Sequence, residues 1–277
     1  MYYLKFFRCE RFIYMQHHKN LKVFVINLKD HNKKRVLMKR ALSAFSFKYE
    51  FFDAFDGRNL SPYDFYGYND FIRKLYLGRS LLSSELGALE SNRLIFKKML
   101  EEDIDIALIL EDDIKFKSDF EFILNKILNL KFDWEIIRFI DDKKIRKSFG
   151  RKIINLGKNY YIKRYPKLFG GSHAYLIKKE AALKLLNLTT NFYHHIDIIM
   201  GQSWKNNLNS LICPDLVSQD PLLNVSRDNP RFVKVKKNFL SIYPYTRFLF
   251  KIYEATAKWL YYIYKFFPDL LTFKRNS

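Results

Sequence analysis

The chain has 277 residues, of which 48% are hydrophobic: enough apolar material for one large α/β domain, or a domain with appendages, and too much for a disordered chain. Its 49 Lys and Arg against 29 Asp and Glu leave a formal net charge of +20, which requires an anionic partner: nucleic acid, a membrane surface or a phosphorylated small molecule. Two cysteines, Cys9 and Cys213, exclude a disulfide framework and fit a reducing compartment.

The opening MYYLKFFRCERFIYM is apolar, but Lys5, Arg8 and Arg11 spoil it as a signal sequence. It is expected to form a basic, aromatic extension over residues 1–21. KVFVINL, residues 22–28, predicts a first buried strand, and the pattern from Lys33 to Phe45 predicts a helix with Val36, Leu37, Leu42 and Phe45 on its apolar side. YEFFDAF, residues 49–55, predicts a second strand closed by the turn DGRN. A looser segment with Pro62, Gly67 and Gly78 precedes LLSSELGALESNRLIFKKML, residues 81–100, a helix with Ser83 or Ser84 as its expected cap.

IALIL, residues 106–110, reads as a fully buried strand, and it runs directly into Glu111, Asp112 and Asp113. Acids beyond such a strand sit where α/β sheets bind ligands, outside the carboxyl ends of the strands. Three adjacent carboxylates need compensation. A divalent ion with a phosphorylated ligand supplies one form, and capping of a helix near 119–129 supplies the other. On an extended chain Glu111 and Asp113 share a face and reach a hard cation, Mn²⁺ or Mg²⁺, while Asp112 points away.

WEIIRFI, residues 134–140, predicts a further strand, followed by a basic, hairpin-rich stretch to Tyr165. FGGSHAYLI, residues 169–177, predicts a glycine turn entering a strand, and KKEAALKLL, residues 178–186, a helix. Alternating strands and helices predict a mostly parallel sheet with helices on both faces. His173 is a metal ligand, a donor to phosphate, or a structural residue of the turn. His194 and His195 make a weak metal signal. Asp197, between Ile196 and Ile198, is either a carboxylate against an apolar wall, suited to general-base work, or a helix cap. Near the start of the first helix, Asn27, Lys29 and Arg35 are placed to receive a phosphate, or simply belong to a solvated basic helix.

From Arg231 to Ser277 there are ten Lys and Arg against two acids, a net of +8. In TRFLFKIYEATAKWLYYIYKFF, residues 246–267, charges at 247, 251, 254, 258 and 265 draw one narrow polar stripe down a helix whose remaining face is aromatic. This pattern predicts either a helix lying in the plane of a membrane or one packed on the domain or in a dimer. No apolar run reaches about 18 residues, so a spanning helix is not expected. Nucleic acid is not expected either: no zinc-finger, RNP or basic-zipper pattern occurs.

Seven segments in order resemble the bacterial lipooligosaccharide glycosyltransferases of family 25, whose relatives include collagen galactosyltransferases: VFVINLKDHNKKR (23–35), FDAFDGRNL (52–60), SSELGALESN (83–92), IALILEDDIKF (106–116), WEIIRF (134–139), GGSHAYLIKKEAALKLL (170–186) and HIDIIM (195–200). The resemblance covers about residues 22–217, leaves both termini outside it and implies a GT-A-like, Rossmann-like fold; the domain is expected over residues 22–230, and the charge and aromatic pattern of residues 231–277 predicts a basic, membrane-associating segment. It implies an inverting transfer of hexose from a UDP-sugar, commonly UDP-galactose, to a lipooligosaccharide acceptor on the cytoplasmic face of the inner membrane. Its acidic motif maps onto Glu111 and Asp113 as metal ligands, with Asp112 beside them. Donor contacts map onto Asn27, Leu28, Lys29, Arg35, Asp53, Ser91, Asn92, Asp112 and His173. Asp197 is the expected base and Glu85 the reserve. Where the family reads close to G-C-x-x-S-H, this chain has Gly87-Ala88-Leu89-Glu90-Ser91-Asn92, which puts Asn92 in a histidine's place. The alternatives are a non-catalytic membrane-associated relative and a basic nucleic-acid-binding protein.

Overall fold

Strand β3, Ile106–Glu111, forms the spine of the structure because aliphatic residues at five successive positions let it bury both faces. The computed structural model describes residues 21–58, 60–141, 145, 148–220, 223 and 243–276. The expected N-terminal extension as far as residue 20, Cys9 with it, and the stretch 224–242 lie outside the described residues.

Before β3 come β1 (Leu21–Asn27), α1 (Asn32–Leu42), β2 (Glu50–Asp53), α2 (Asp70–Leu77) and α3 (Ser83–Glu101). After it come β4 (Ile114–Phe116), α4 (Phe120–Leu128), β5 (Ile136–Ile140), β6 (Arg151–Gly157), β7 (Tyr160–Arg164), β8 (Ala174–Lys178) and α5 (Lys179–Leu188). The short helices α6 (Ile196–Gly201) and α7 (Ser203–Asn206) lead to β9 (Ser210–Pro214) and β10 (Val217–Gln219), and α8 (Tyr243–Tyr264) and α9 (Phe266–Asn276) follow.

Eight strands form one sheet in the order β2-β1-β3-β8-β5-β9-β7-β6. Six of them run the same way, as the alternation of strands and helices predicts; β8 and β7 oppose their neighbours. Strand alternation sorts the core into two layers. Ile106, Leu108 and Leu110 point to the side covered by α1 and α4, where Met38, Leu42, Ile123 and Ile127 meet them. Ala107 and Ile109 point to the side covered by α3 and α5, against Leu89, Phe96, Ala181 and Leu185. Each fully buried Leu or Ile contributes about 1.5–3 kcal/mol, so this double layer fixes where β3 ends.

The DGRN turn and α3 are tied together by two glycines. A Cβ on Gly57 would meet Ser83 O at 2.4 Å, and one on Gly87 would meet Phe55 O at 3.0 Å. Ser91 Oγ accepts from Phe55 N at 2.9 Å and donates to Gly87 O at 2.7 Å, closing the same contact. The cap of α3 is Leu82 rather than either serine; Ser83 Oγ instead donates to Leu60 O at 2.9 Å. The looser segment holds a helix, α2, which the flanking Gly67 and Gly78 obscure in the sequence. The single helix expected at 246–267 is two helices, α8 and α9, meeting at Lys265.

Candidate active site

A cavity of about 420 Å³ opens at the carboxyl end of β3, lined among others by Glu85, Glu111, His173, His195, Asp197 and Gln219. Four sequence-predicted residues therefore meet there: Glu85 from the first turn of α3, Glu111 from β3, His173 before β8 and Asp197 from the start of α6.

Glu111 faces the cavity with Ser172 Oγ at 3.4 Å and Gln219 Nε2 at 3.5 Å. The other two acids turn elsewhere. Asp112 accepts from Asn27 Nδ2 at 2.7 Å and from Lys34 Nζ at 3.0 Å. Asp113, 1% exposed, has the same ammonium at 3.6 Å and is not part of the cavity wall. The chain turns at Asp112 and Asp113 before β4 begins, so extended-chain alternation stops at Glu111. Lys34, one residue before the expected Arg35, supplies a cation to two of the three adjacent acids, Asp112 and Asp113.

Asp197 is held from two sides. Its Oδ2 accepts from Gly171 N at 2.7 Å, and its Oδ1 is hydrogen-bonded to His195 Nδ1. The Gly-Gly turn is a steric necessity here. Gly171 has φ 126°, and a Cβ on Gly170 would press on Asp197 Oδ2 at 3.1 Å. The carboxylate partner assigns the ring proton of His195 to Nδ1 and leaves Nε2, on the far side of the ring, as the acceptor.

Glu85 is clamped rather than poised. Arg79 donates to it at 2.7 and 2.9 Å, and Leu82 N at 2.9 Å. Burial alone would raise its pKa, but Arg79 and the Leu82 amide outweigh burial and hold it at about 2. A carboxylate so stabilised is a poor proton acceptor. Behind it lies buried His194, which faces Arg73 Nη1 at 3.3 Å and is held down to about 2 by burial first and by Arg73 second.

Both groups make the fold acid-labile. Below the ordinary histidine value of 6.5 the unfolded His194 gains a proton that the folded one refuses, so stability falls as pH falls. From 4.5 downward Glu85 adds to the loss, and its share is gone once the pH passes below about 2. Denaturant unfolding at neutral and stepped acid pH checks this; stability that stays flat from neutrality down to pH 4.5 would contradict it.

The remaining predicted donor contacts lie outside the cavity wall. Lys29 and Arg35 reach Asp53 at 3.5 and 3.8 Å at the ends of β1 and β2, and Arg35 also covers the Phe51 ring at 4.5 Å. Leu28 contributes its carbonyl to His31 N at 2.9 Å. Ser91 and Asn92 are buried in α3, where Asn92 Nδ2 donates to Ala88 O at 2.7 Å and Oδ1 accepts from Tyr175 OH. The residue that departs from the family pattern thus bridges α3 to β8. Sequence reasoning gave no role to Ser172, Gln219 or Lys34. Ser172 sits inside the GGSH turn and Lys34 inside the first motif, whereas Gln219 carries no local signal.

An α/β domain with an acid- and histidine-lined cavity at the carboxyl end of its sheet is a ligand-binding domain of the open-sheet class. The chain belongs to glycosyltransferase family 25: the profile described as "Glycosyltransferase family 25 (LPS biosynthesis protein)" matches residues 20–200. It is 29% identical over 177 residues to procollagen galactosyltransferase 1-B of Xenopus laevis, covering 60% of this chain and 28% of that one. It is 27% identical over 172 residues to human procollagen galactosyltransferase 2, covering 59% and 27%. Over 181 residues it is 28% identical to the human inactive glycosyltransferase 25 family member 3, covering 59% and 28%. The chain spans just over a quarter of the length of these relatives.

Proposed function

We propose that the protein is an inverting glycosyltransferase that moves a hexose, galactose from UDP-galactose, to a lipooligosaccharide acceptor at the cytoplasmic face of the inner membrane. The observation that carries this reading is the cavity itself, where Glu111 and the His195–Asp197 pair share one wall system at the end of β3. Membership of the family supports the reaction class.

The donor set fits a divalent ion only in part. Among the described residues no three Asp, Glu, His or Cys side chains are grouped to hold one. Mg²⁺-type ions, however, bind through one or two carboxylates together with substrate phosphates and water. Glu111 would be the holding residue, because Asp112 is committed to Asn27 and Lys34 and Asp113 is enclosed beside Lys34. Such an ion, Mn²⁺ or Mg²⁺, shared with the diphosphate, would offset the charge that develops on the departing UDP.

In the same cavity the acceptor hydroxyl gives its proton to His195 Nε2, and Asp197 steadies the imidazolium through Nδ1. The hydroxyl oxygen forms the new bond to the anomeric carbon as the carbon–oxygen bond to UDP breaks, its electron pair leaving with the diphosphate. No covalent enzyme intermediate is needed. Lys29, Arg35 and Asp53, at the neighbouring strand ends, are proposed to contact the nucleoside side of the donor.

A panel of nucleotide sugars tests the reading by protection against thermal unfolding. UDP-galactose with Mn²⁺ is expected to raise Tm above that with UDP-glucose, and Glu111→Gln to remove the metal-dependent part of the gain. No protection by any UDP-sugar would refute the assignment. The likeness to an inactive relative motivates the non-catalytic alternative; it predicts protection without UDP release when an oligosaccharide acceptor is added.

A further inference from the structure

Helices α8 and α9 meet the domain with a mixed side that carries both of their acids together with Phe250, which packs on Tyr76 at 4.8 Å, and Tyr262, which is buried beneath Arg151. Along α8 the half-buried stripe runs through Thr246, Phe250, Glu254, Lys258 and Tyr261, with Lys265 at the junction. Thr246 Oγ1 donates to Leu75 O at 3.0 Å, and Glu254 accepts from Gln202 Nε2 at 3.1 Å. Lys258 pairs with Glu254 at 3.7 Å and lies over the Trp204 ring at 5.4 Å. From α9, Asp269 is 3% exposed and receives Arg164 at 2.9 and 3.1 Å and Arg151 at 3.1 Å.

The outward side is apolar. Of the 21 exposed large hydrophobic side chains among the described residues, thirteen lie on this helix pair, Phe248, Leu249, Trp259, Leu260, Ile263 and Phe267 among them. Helices that dock for burial alone turn this side inward; here it is turned out. Charge on the same side has one sign. The exposed ionic residues of α8 and α9 are Arg247, Lys251, Lys274 and Arg275, whereas both acids, Glu254 and Asp269, face the domain.

We propose that the outer face of α8 and α9 is a docking surface for an anionic lipid bilayer, on which the two helices lie in the plane of the interface. A bilayer offers apolar depth for the aromatic and aliphatic side chains and countercharge for the four cations. A second copy of this chain would offer the first and repeat the same four cations. No helix among the described residues is long and apolar enough to cross a membrane, which leaves the interface. The polar stripe and the Asp269–Arg164 latch then hold the domain in a fixed orientation above the lipid. None of the named outward side chains lines the cavity, so membrane binding and sugar transfer can fail separately.

Flotation of the full chain with vesicles tests the proposal. Binding is expected to phosphatidylglycerol-containing vesicles and to be at least tenfold weaker with phosphatidylcholine alone, with Trp259 emission moving to shorter wavelength on binding. Arg247→Gln with Lys251→Gln is expected to weaken binding about thirtyfold, from the typical gain per cation near a charged surface. Leu249→Glu with Phe267→Glu should abolish it. Both positions are exposed, so the protection given by UDP-galactose should persist as a measure of folding. Absence of binding to the anionic vesicles overturns the proposal. Sedimentation then tests the second copy: a dimer lost in Leu249→Glu/Phe267→Glu assigns the face to it. Equal binding to both vesicle types overturns the electrostatic part.

Discussion

Asp197→Asn is expected to lower hexose transfer by about 10²–10⁴-fold while leaving nucleotide-sugar binding in place. The size follows from what the carboxylate does. It bonds His195 Nδ1 and accepts from Gly171 N at 2.7 Å, so it fixes both the tautomer and the direction of the ring. An amide in its place offers one oxygen to two donors and turns an NH₂ group toward one of them. The backbone amide of Gly171 cannot move without the loop, so the imidazole pays the mismatch. His195→Asn separates the two candidates for base. If the imidazole takes the proton, this variant falls as far as Asp197→Asn and loses the acid limb of its kcat/KM profile. If it keeps most of the rate, Asp197 takes the proton itself. If both keep the wild-type rate, the pair has no place in the reaction. Donor protection against unfolding should survive in both, since a merely misfolded protein would lose it.

The strand pattern was largely legible, because buried strands declare themselves by aliphatic runs, and IALIL and WEIIRF each sit where β3 and β5 are found. Direction was harder. The two opposing strands, β7 and β8, follow a hairpin and a glycine turn, features that change chain direction without altering hydrophobic composition. The acidic triplet shows the limit at the site. Its position at the end of β3 could be read, but its division could not, since alternation holds only while the chain stays extended and it turns at Asp112. The stripe on α8 is a parallel case: the spacing of Glu254, Lys258 and Lys265 was visible, yet which side meets the domain depends on partners 50 to 180 residues away, such as Gln202 and Leu75. The His195–Asp197 contact is local, two residues apart, and escaped because His-x-Asp has no fixed geometry until α6 begins at Ile196.

Lys34→Met is expected to destabilise the fold by about 3–5 kcal/mol at neutral pH, the range for removing one partner of a buried ionic cluster. On a chain of this size that is a fall in Tm of roughly 10 °C. Lys34 Nζ stands 3.0 Å from Asp112 and 3.6 Å from Asp113, and the two side chains are only 11% and 2% exposed. Asn27 still donates to Asp112 at 2.7 Å in the variant, but an amide neutralises no charge. The variant takes the ammonium from both carboxylates and leaves Asp112 with Asn27 and with His31 Nδ1 at 3.9 Å. Lys34→Gln, equally uncharged but able to donate a hydrogen bond, is expected to share most of the deficit. A deficit confined to Lys34→Met would mean that methionine merely packs badly. The same experiment decides who compensates the acids. With Lys34 in place, Mn²⁺ without donor should leave the wild-type Tm unchanged, because the ammonium already holds Asp112 and Asp113 and Glu111 alone binds an ion weakly. A gain of several degrees from Mn²⁺ alone would establish a metal cage made by the protein, and Lys34 would then be a bystander to it.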